Sequence, residues 1–260
     1  AQTLEITDAT LLGPTCLVTL TATINVPAKG QAAKTANKMT QKTIASNKGT
    51  PNGAAGTGTY TEIYGERVND RQISLSYADT YTLHAVFEST AIGTTPVAPT
   101  LTIASSTGTF TVGEVITGSS SSATGRVIVN SPSTTIEYVV IAGIFTTNDN
   151  ITGGTSTYTA TVTAVGRGDR NITTNWLLDT GQRDSFYDLG RGSRKPDAVT
   201  PVGQLLFVYD YFTHGAGDYF SVDSYTGQID YKDIPEYSAS KVDPESKAPI
   251  GFYELRDCLD

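Results

Sequence analysis

The sequence predicts an all-β protein built from more than one module. The chain has 260 residues, which exceeds the usual size of a single domain. Abundant Thr, together with 25 Gly and 14 Tyr, favours strands joined by tight turns. Strong helix formers are scarce, since Met occurs once and Leu is sparse. We therefore expect an immunoglobulin-like sandwich over 1–92, a β-hairpin repeat module over 93–168 and a C-terminal β-rich segment over 169–260.

The first module opens with two predicted strands, at 3–7 and 16–26. A polar stretch at 27–58 follows, which contains five lysines and no acidic residue. Lys34, Lys38 and Lys42 have the i, i+4 spacing of a helix face, but like charges at that spacing repel, and the glycine content favours a loop. We interpret 27–58 as a long solvated loop, with contact to an acidic neighbouring subunit as the alternative.

Three further strands are predicted before residue 92, at 59–67, 72–77 and 79–88. In the last of them apolar residues from Tyr81 to Phe87 alternate with Thr82, His84 and Glu88, which gives one apolar face. Several short strands with turn signals are typical of an immunoglobulin-like or fibronectin-like sandwich. Cys16 has no partner cysteine in the later strand where such a fold would place one.

An internal repeat is the clearest pattern in the middle of the chain. Phe110-Thr111 and Ile116-Thr117-Gly118 recur 35 positions later as Phe145-Thr146 and Ile151-Thr152-Gly153. Each copy reads as a strand, a glycine-containing turn and a second strand, so each is a predicted β-hairpin. Charged residues are rare here, and Thr and Ser coat the module. The pattern is typical of an exposed spacer.

The C-terminal segment alternates apolar runs with acidic, aromatic stretches. Leu205-Leu206-Phe207-Val208 is the strongest candidate for a buried strand. Five prolines after residue 195 divide the remainder into short pieces and exclude a long helix.

Charge and cysteine content restrict the function classes. A net charge of −8 disfavours nucleic acid as the main partner. Cys16 and Cys258 lie near opposite ends without metal-binding spacing, and we interpret them as free thiols, with a disulfide bridge as the alternative. No apolar run is long enough to span a membrane and no signal peptide opens the chain. The sequence lacks an initiator Met and stops abruptly, so we expect a fragment of a longer polypeptide.

Candidate chemistry is sparse. Five aspartates in a tyrosine-rich setting could supply the carboxylate pair of a glycosidase, although solvation of loops is the favoured interpretation; they are Asp210, Asp218, Asp223, Asp230 and Asp233. His84 and His214 are the only histidines, and no nucleophile elbow accompanies them. No calcium-loop motif is present, so a metal site stays an open question, and no cofactor is expected.

Two segments of the C-terminal third resemble virion structural proteins of contractile-tailed phages, such as those of marine and cyanobacterial hosts. These segments run from Leu178 to Asp188 and from Tyr209 to Tyr225. The Ile-Thr-Gly repeat is similar to the Phe-x-x-Gly-Glu-x-Ile-Thr-Gly modules of the same proteins. The second copy has Asn148-Asp149 where the first has Gly113-Glu114, and this departure favours a structural spacer.

The resemblance implies a structural, non-enzymatic component of a phage tail fibre or baseplate, located in the virion tail and extracellular. We expect a homo-oligomer that also contacts other virion structural proteins. A host surface glycan is a further candidate partner, with candidate contacts in the C-terminal third: Tyr209, Tyr211, Asp218, Tyr219, Asp223 and Tyr225. The alternatives are a non-viral extracellular or pilus-like filament, a glycan-binding adhesin and a polysaccharide depolymerase.

Overall fold

The structure is a computed structural model that describes residues 29–45, 66–131, 134–181 and 188–234, together with a short strand pair at 237–238 and 251–252. It is 49% strand, and no helix in the described part reaches seven residues. The all-β prediction is therefore confirmed. No helix among the described residues is long and apolar enough to cross a membrane.

Fifteen strands are described. In chain order they are β1 (Lys34–Ile44), β2 (Gln72–Ala78), β3 (Thr80–Glu88), β4 (Thr100–Ala104), β5 (Val115–Gly118), β6 (Thr124–Ser131), β7 (Thr135–Ala142), β8 (Asn150–Gly153), β9 (Thr159–Gly166), β10 (Arg170–Asn171), β11 (Trp176–Asp179), β12 (Leu189–Arg194), β13 (Leu205–His214), β14 (Tyr237–Ser238) and β15 (Gly251–Phe252). Short 3-10 helices follow β10 and β13. The strands predicted at 72–77 and 79–88 are confirmed, whereas those at 3–7 and 16–26 and most of 59–67 lie outside the described residues, as do Cys16 and Cys258.

Two antiparallel sheets enclose a common core and form the two-sheet body. One has the strand order β1-β13-β3-β10 and the other β11-β12-β2. β13 lies between β1 and β3, and its first eight residues are buried, as the apolar run predicted. The core between the sheets includes Ile73 and Leu75 from β2, Phe207 from β13 and Trp176 from β11, with the Trp176 and Phe207 rings edge to face at 5.1 Å.

The predicted loop at 27–58 is wrong over Lys34–Ile44, which forms β1 and pairs antiparallel with β13. Four residues along a strand span about 13 Å, so the lysine repulsion expected on a helix face does not arise. Acids distant in sequence neutralise two of these lysines. Lys34 Nζ lies 2.7 Å from Asp79 Oδ2, and Lys42 Nζ lies 2.6 Å from Glu66 Oε2. The acids that lysines of this stretch contact thus belong to the same chain.

The predicted first and third modules share one body in the described part, because the β1-β13-β3-β10 sheet draws strands from both. The repeat module is inserted between β3 and β10. Its two ends meet at a clasp, where Asp169 N donates to Val97 O at 2.8 Å and Val97 N donates to Asp169 Oδ2 at 2.8 Å. Ends this close allow a module to be inserted without disturbing its host. The division into three sequential modules therefore differs from the structure.

The repeat module closes into a six-stranded barrel of order β4-β7-β6-β5-β8-β9. The predicted hairpins are confirmed as the antiparallel pairs β5–β6 and β8–β9. The structural repeat extends beyond the Phe-Thr and Ile-Thr-Gly motifs. Three strands, β4, β5 and β6, recur 35 positions later as β7, β8 and β9. β5 pairs with β8 and β4 with β7, so the barrel has an internal pseudo-twofold. Matching side chains, including Phe110 and Phe145, fill its interior.

A buried carboxylate from each copy closes the turn of the other. Glu114 Oε2 accepts from Thr155 N and Ser156 N, both at 2.9 Å. Asp149, at the equivalent position, accepts from Ser120 N at 2.8 Å and from the Ser121 hydroxyl. Burial opposes ionisation, but these hydrogen bonds prevail and hold the pKa of both carboxyls below the ordinary value.

The departure from the repeat at Asn148-Asp149 preserves the backbone of the first copy. Gly113 has φ 85° and Asn148 has φ 65°, both in the left-handed region. Asn is among the few residues with a side chain that adopt this region readily. The Gly113 N–H donates to Val127 O at 2.8 Å, and the Asn148 N–H donates to Val162 O at 2.7 Å. Asn-Asp therefore replaces Gly-Glu in both conformation and hydrogen bonding.

The barrel docks on the face of the β1-β13-β3 sheet that points away from the second sheet. Ile128 of β6 and Val139 of β7 are buried in one cluster with Met39, Phe87 and Leu206. The sheet is thus covered on both faces, which explains why β13 is apolar on consecutive residues and does not alternate.

Candidate functional site

A cleft of about 680 Å³ lies where the barrel meets the sheet, and we call it the barrel–sheet cleft. Its volume falls in the range of small-molecule sites, and clefts between modules are a common place for them. Three parts of the chain line it: the sheet, the barrel and the segment after the 3-10 helix at Val222–Tyr225. The lining residues are Lys38, Tyr81, Thr82, His84, Gly113, Arg126, Asp210, Gly227, Gln228, Ile229, Asp230 and Asp233.

A histidine–aspartate pair forms the most buried polar part of the cleft. His84 Nε2 on β3 lies 2.8 Å from Asp210 Oδ2 on β13. Asp210 Oδ1 accepts from Met39 N of β1 at 2.6 Å, so hydrogen bonds orient both carboxylate oxygens. The registers of β1 and β13 shift at this point. Such bulges redirect side chains, and here they place the Asp210 side chain in the cleft although its neighbours in β13 are apolar.

Tyr81 places a phenol hydroxyl in the same cleft. Its ring stacks on Phe212, with centroids 4.2 Å apart, and its hydroxyl is buried beside the Asp210 carboxylate. Burial, and then the charge of Asp210, raise the pKa of this phenol well above its ordinary value. The hydroxyl therefore stays protonated, and it interacts with the Asp210 carboxylate.

Charges of both signs surround this group. Arg126 Nη1 of the barrel donates to Gly113 O at 2.7 Å, and Lys38 of β1 lines the same cleft. Asp230 and Asp233 face them from the segment that contains the 3-10 helix Tyr231–Asp233. Cationic donors and carboxylate acceptors at one site match a ligand whose groups both donate and accept, such as the hydroxyls of a sugar.

Three of the six predicted glycan contacts are buried. Tyr209 is 1% exposed and its hydroxyl donates to Leu75 O at 2.6 Å. Tyr211 stacks on Tyr77 with centroids 3.8 Å apart. Tyr225 packs edge to face on Phe212. Tyr209 and Tyr211 are buried because β13 is covered on both faces, and Tyr225 packs in a separate apolar cluster with Phe212 and Ile234. No local pattern in the sequence indicates this burial.

The other three lie at the surface. Asp218 accepts from Gly30 N at 2.8 Å and from Lys29 Nζ at 3.3 Å, and these two contacts, in that order, lower its pKa. Tyr219 forms a backbone bridge, since its carbonyl accepts from Ala32 N at 2.9 Å. Asp223 is exposed in the capped 3-10 helix after Ser221.

Of the five candidate aspartates, the structure brings Asp210, Asp230 and Asp233 to the barrel–sheet cleft and leaves Asp218 and Asp223 outside it. Sequence reasoning gave His84 no role. His84 and Asp210 are 126 positions apart, so no local spacing signals their pairing. Within the described ranges no three His, Cys, Asp or Glu side chains gather to hold a metal ion.

A second, smaller pocket of about 310 Å³ lies at the end of β13. It contains the Lys34–Asp79 ion pair, whose side chains are 1% and 9% exposed. Phe212, Phe220 and His214 line it as well. His214, the second histidine, packs its ring edge to face on Phe220 at 5.0 Å.

Comparison with known proteins gave no match to a family model, to a curated protein or to a solved structure. The geometry of the described residues and the sequence resemblance therefore carry the functional argument.

Proposed function

We propose that the chain is a structural, non-enzymatic protein of a tailed-phage particle, of the tail-fibre or baseplate type, that acts by assembly. The observation that carries this proposal is the pseudo-twofold barrel. Its sequence repeat is the module that resembles phage virion proteins, and its acids Glu114 and Asp149 are both used to close turns. A carboxylate that accepts hydrogen bonds from a turn stabilises the fold. The module that resembles phage virion proteins therefore uses its buried acids for structure, which supports a structural role.

Exposed apolar side chains support assembly through the barrel. Val140, Ile141 and Ile144 lie within five residues, and Ile144 is 70% exposed. Clustered exposed apolar groups are typical of interaction surfaces. We propose that this surface, the β7 apolar patch, contacts a second copy of the chain or another virion protein.

We also propose a specific fold type for the two-sheet body. Two antiparallel sheets with one shared core support an immunoglobulin-like sandwich interrupted by the barrel.

Native mass spectrometry at micromolar concentration tests assembly. The expected species is a homo-oligomer, and a stable monomer contradicts the proposal. Ile141→Ser and Ile144→Ser should weaken the oligomer without loss of strand content by circular dichroism. Val199→Ser is the matched control, because Val199 is equally exposed but lies outside the barrel.

Peptide mass spectrometry of purified particles tests the phage assignment. Tailed particles isolated from the sample that encodes the chain should contain its peptides, and gold-labelled antibodies should mark the tail or baseplate. Label on cell-surface fibres with none on particles would favour the non-viral, pilus-like filament.

Glycan binding is a second candidate, favoured by the Tyr81 hydroxyl and the Asp210 carboxylate, which lie together in the barrel–sheet cleft. A glycan array should then show a bound carbohydrate, and Tyr81→Phe should weaken its binding about tenfold, the effect of one lost hydrogen bond. Tyr158→Phe on the barrel is the control and should bind as the parent does. A blank array with folded protein removes this candidate, and release of reducing ends from a host polysaccharide would instead indicate a depolymerase.

A further inference from the structure

The Lys34–Asp79 pair joins two parts of the body that are not adjacent in the sheet. Lys34 begins the edge strand β1, and Asp79 lies at the corner between β2 and β3. β13 lies between β1 and β3, so the two side chains meet across it. Their Nζ and Oδ2 atoms are 2.7 Å apart, and the reacting carbon of the carboxyl group is one bond further. The amine nitrogen is thus held in contact with the carboxyl group, which is the positioning that an intramolecular reaction requires.

Aromatic rings enclose the pair. Lys34 Nζ lies 4.8 Å from the centroid of Phe220, 4.9 Å from Tyr225 and 5.7 Å from Phe212. Almost no surface of either side chain reaches solvent. Charges removed from water carry a large desolvation cost, whereas that of a neutral amide is much smaller. Apolar burial therefore favours a product that contains no charges.

The backbone at Asp79 is also held in an unusual conformation. Its φ is 58°, in the left-handed region, and its carbonyl accepts from Phe212 N at 3.1 Å. Conformations of this kind persist where the surrounding structure imposes them and are enriched at functional sites. The corner thus fixes the carboxyl group in front of Lys34.

We propose that Lys34 and Asp79 are joined by an intramolecular amide bond between Nζ and Cγ, formed after folding. This inference goes beyond the proposed function and does not depend on it. The bond would fasten the edge strand β1 to the β2–β3 corner, and would leave the strand unable to separate from the sheet under load.

The reaction is a condensation that needs no oxidant or further reactant. A proton moves from the Lys34 ammonium to the Asp79 carboxylate, and this gives a neutral amine and a carboxylic acid. Nζ then attacks Cγ, a second proton passes from nitrogen to the departing hydroxyl group, and one water molecule leaves. Fixing the two groups at contact distance replaces the high reactant concentration that the same condensation would need in solution.

Intact-mass measurement of the purified full chain tests the bond. The parent mass should lie below the sequence mass by one water molecule, and fragmentation should give a branched peptide that contains Lys34 and Asp79. Lys34→Arg should have its sequence mass. Asp79→Asn should lose ammonia in place of water, because an amide then takes the place of the acid.

A second lysine–acid pair provides the internal control. Lys42 Nζ and Glu66 Oε2 are equally close, at 2.6 Å, but their side chains are 21% and 30% exposed. Lys42→Arg should therefore keep the loss of one water. A folded parent protein with the full sequence mass and unlinked Lys34 and Asp79 peptides would overturn the proposal and leave a buried ion pair.

Discussion

The barrel and the two-sheet body reach a β fold by different routes. The barrel is one continuous stretch from β4 to β9, and every strand pairs within it. The body takes its strands from both sides of that insertion, and the Tyr209–Leu75 hydrogen bond joins residues 134 positions apart. Bringing distant segments together has a larger loop-closure cost, so we expect the barrel to form first.

The two regions also use buried polar groups differently. In the barrel, Glu114 and Asp149 accept hydrogen bonds from neighbouring turns. In the body, polar groups join strands or segments far apart in the chain. Glu88 accepts from Val202 N at 2.8 Å and Gly203 N at 3.2 Å, and it also pairs with Arg170. Against the opposing effect of burial, these contacts lower the pKa of Glu88.

Removal of an aromatic side chain from the core of one region should give the largest difference in stability between the barrel and the two-sheet body. Phe207 is fully buried in the body, and Phe207→Ala should cost about 3–5 kcal/mol through the cavity it leaves. Hydrogen exchange read by mass spectrometry in urea should show β2, β3 and β13 exchanging early while barrel amides stay protected. Phe145→Ala is the matched change in the barrel. Simultaneous loss of protection everywhere would show one cooperative unit.

The turn acids test the crosswise connection within the barrel. Asp149→Asn should cost about 1–3 kcal/mol, because an amide nitrogen is placed against N–H donors. Faster exchange should appear in the turn at 119–122, in the other repeat, while Glu114→Gln should affect the turn at 154–157. If faster exchange were confined to the repeat copy that carries the mutation, the two acids would not close each other's turns.

Acid should weaken the barrel through the same two carboxyls. Their folded pKa values lie below the ordinary 4.5 of Glu114 and 3.8 of Asp149, so their contribution is complete above these values and is lost as pH falls through the lower folded ones. Urea midpoints measured from pH 7 to pH 2 should decline below about pH 4.5. A double variant, Glu114→Gln with Asp149→Asn, should show a smaller decline.

The smallest effect is expected at the surface. Asp218→Asn removes a solvent-exposed contact with Lys29, and exposed ion pairs contribute little. Thermal unfolding should be unchanged within error. A clear loss of stability would mean that the Gly30–Asp218 hydrogen bond anchors the start of β1 more firmly than its exposure suggests.

Short sequence patterns correctly predicted the strands and hairpins whose formation depends on neighbouring residues. Alternation identified β3, the apolar run identified β13, and the Ile-Thr-Gly motif identified both hairpins of the barrel. In each case the side-chain period or the turn residues lie within about ten residues, the range over which backbone geometry is encoded.

The sequence by itself thus determined the all-β class and the repeat. Only the tertiary structure decided that 34–44 is a strand, that the repeat closes into a barrel inserted in another body, and that His84 meets Asp210. β1 is polar and rich in lysine, and what makes it a strand is the β13 edge that it pairs with and the acids Asp79 and Glu66 that neutralise it. Residues this far apart in sequence produce no periodic pattern that could predict their pairing. They become neighbours only when the strands pair in the folded protein.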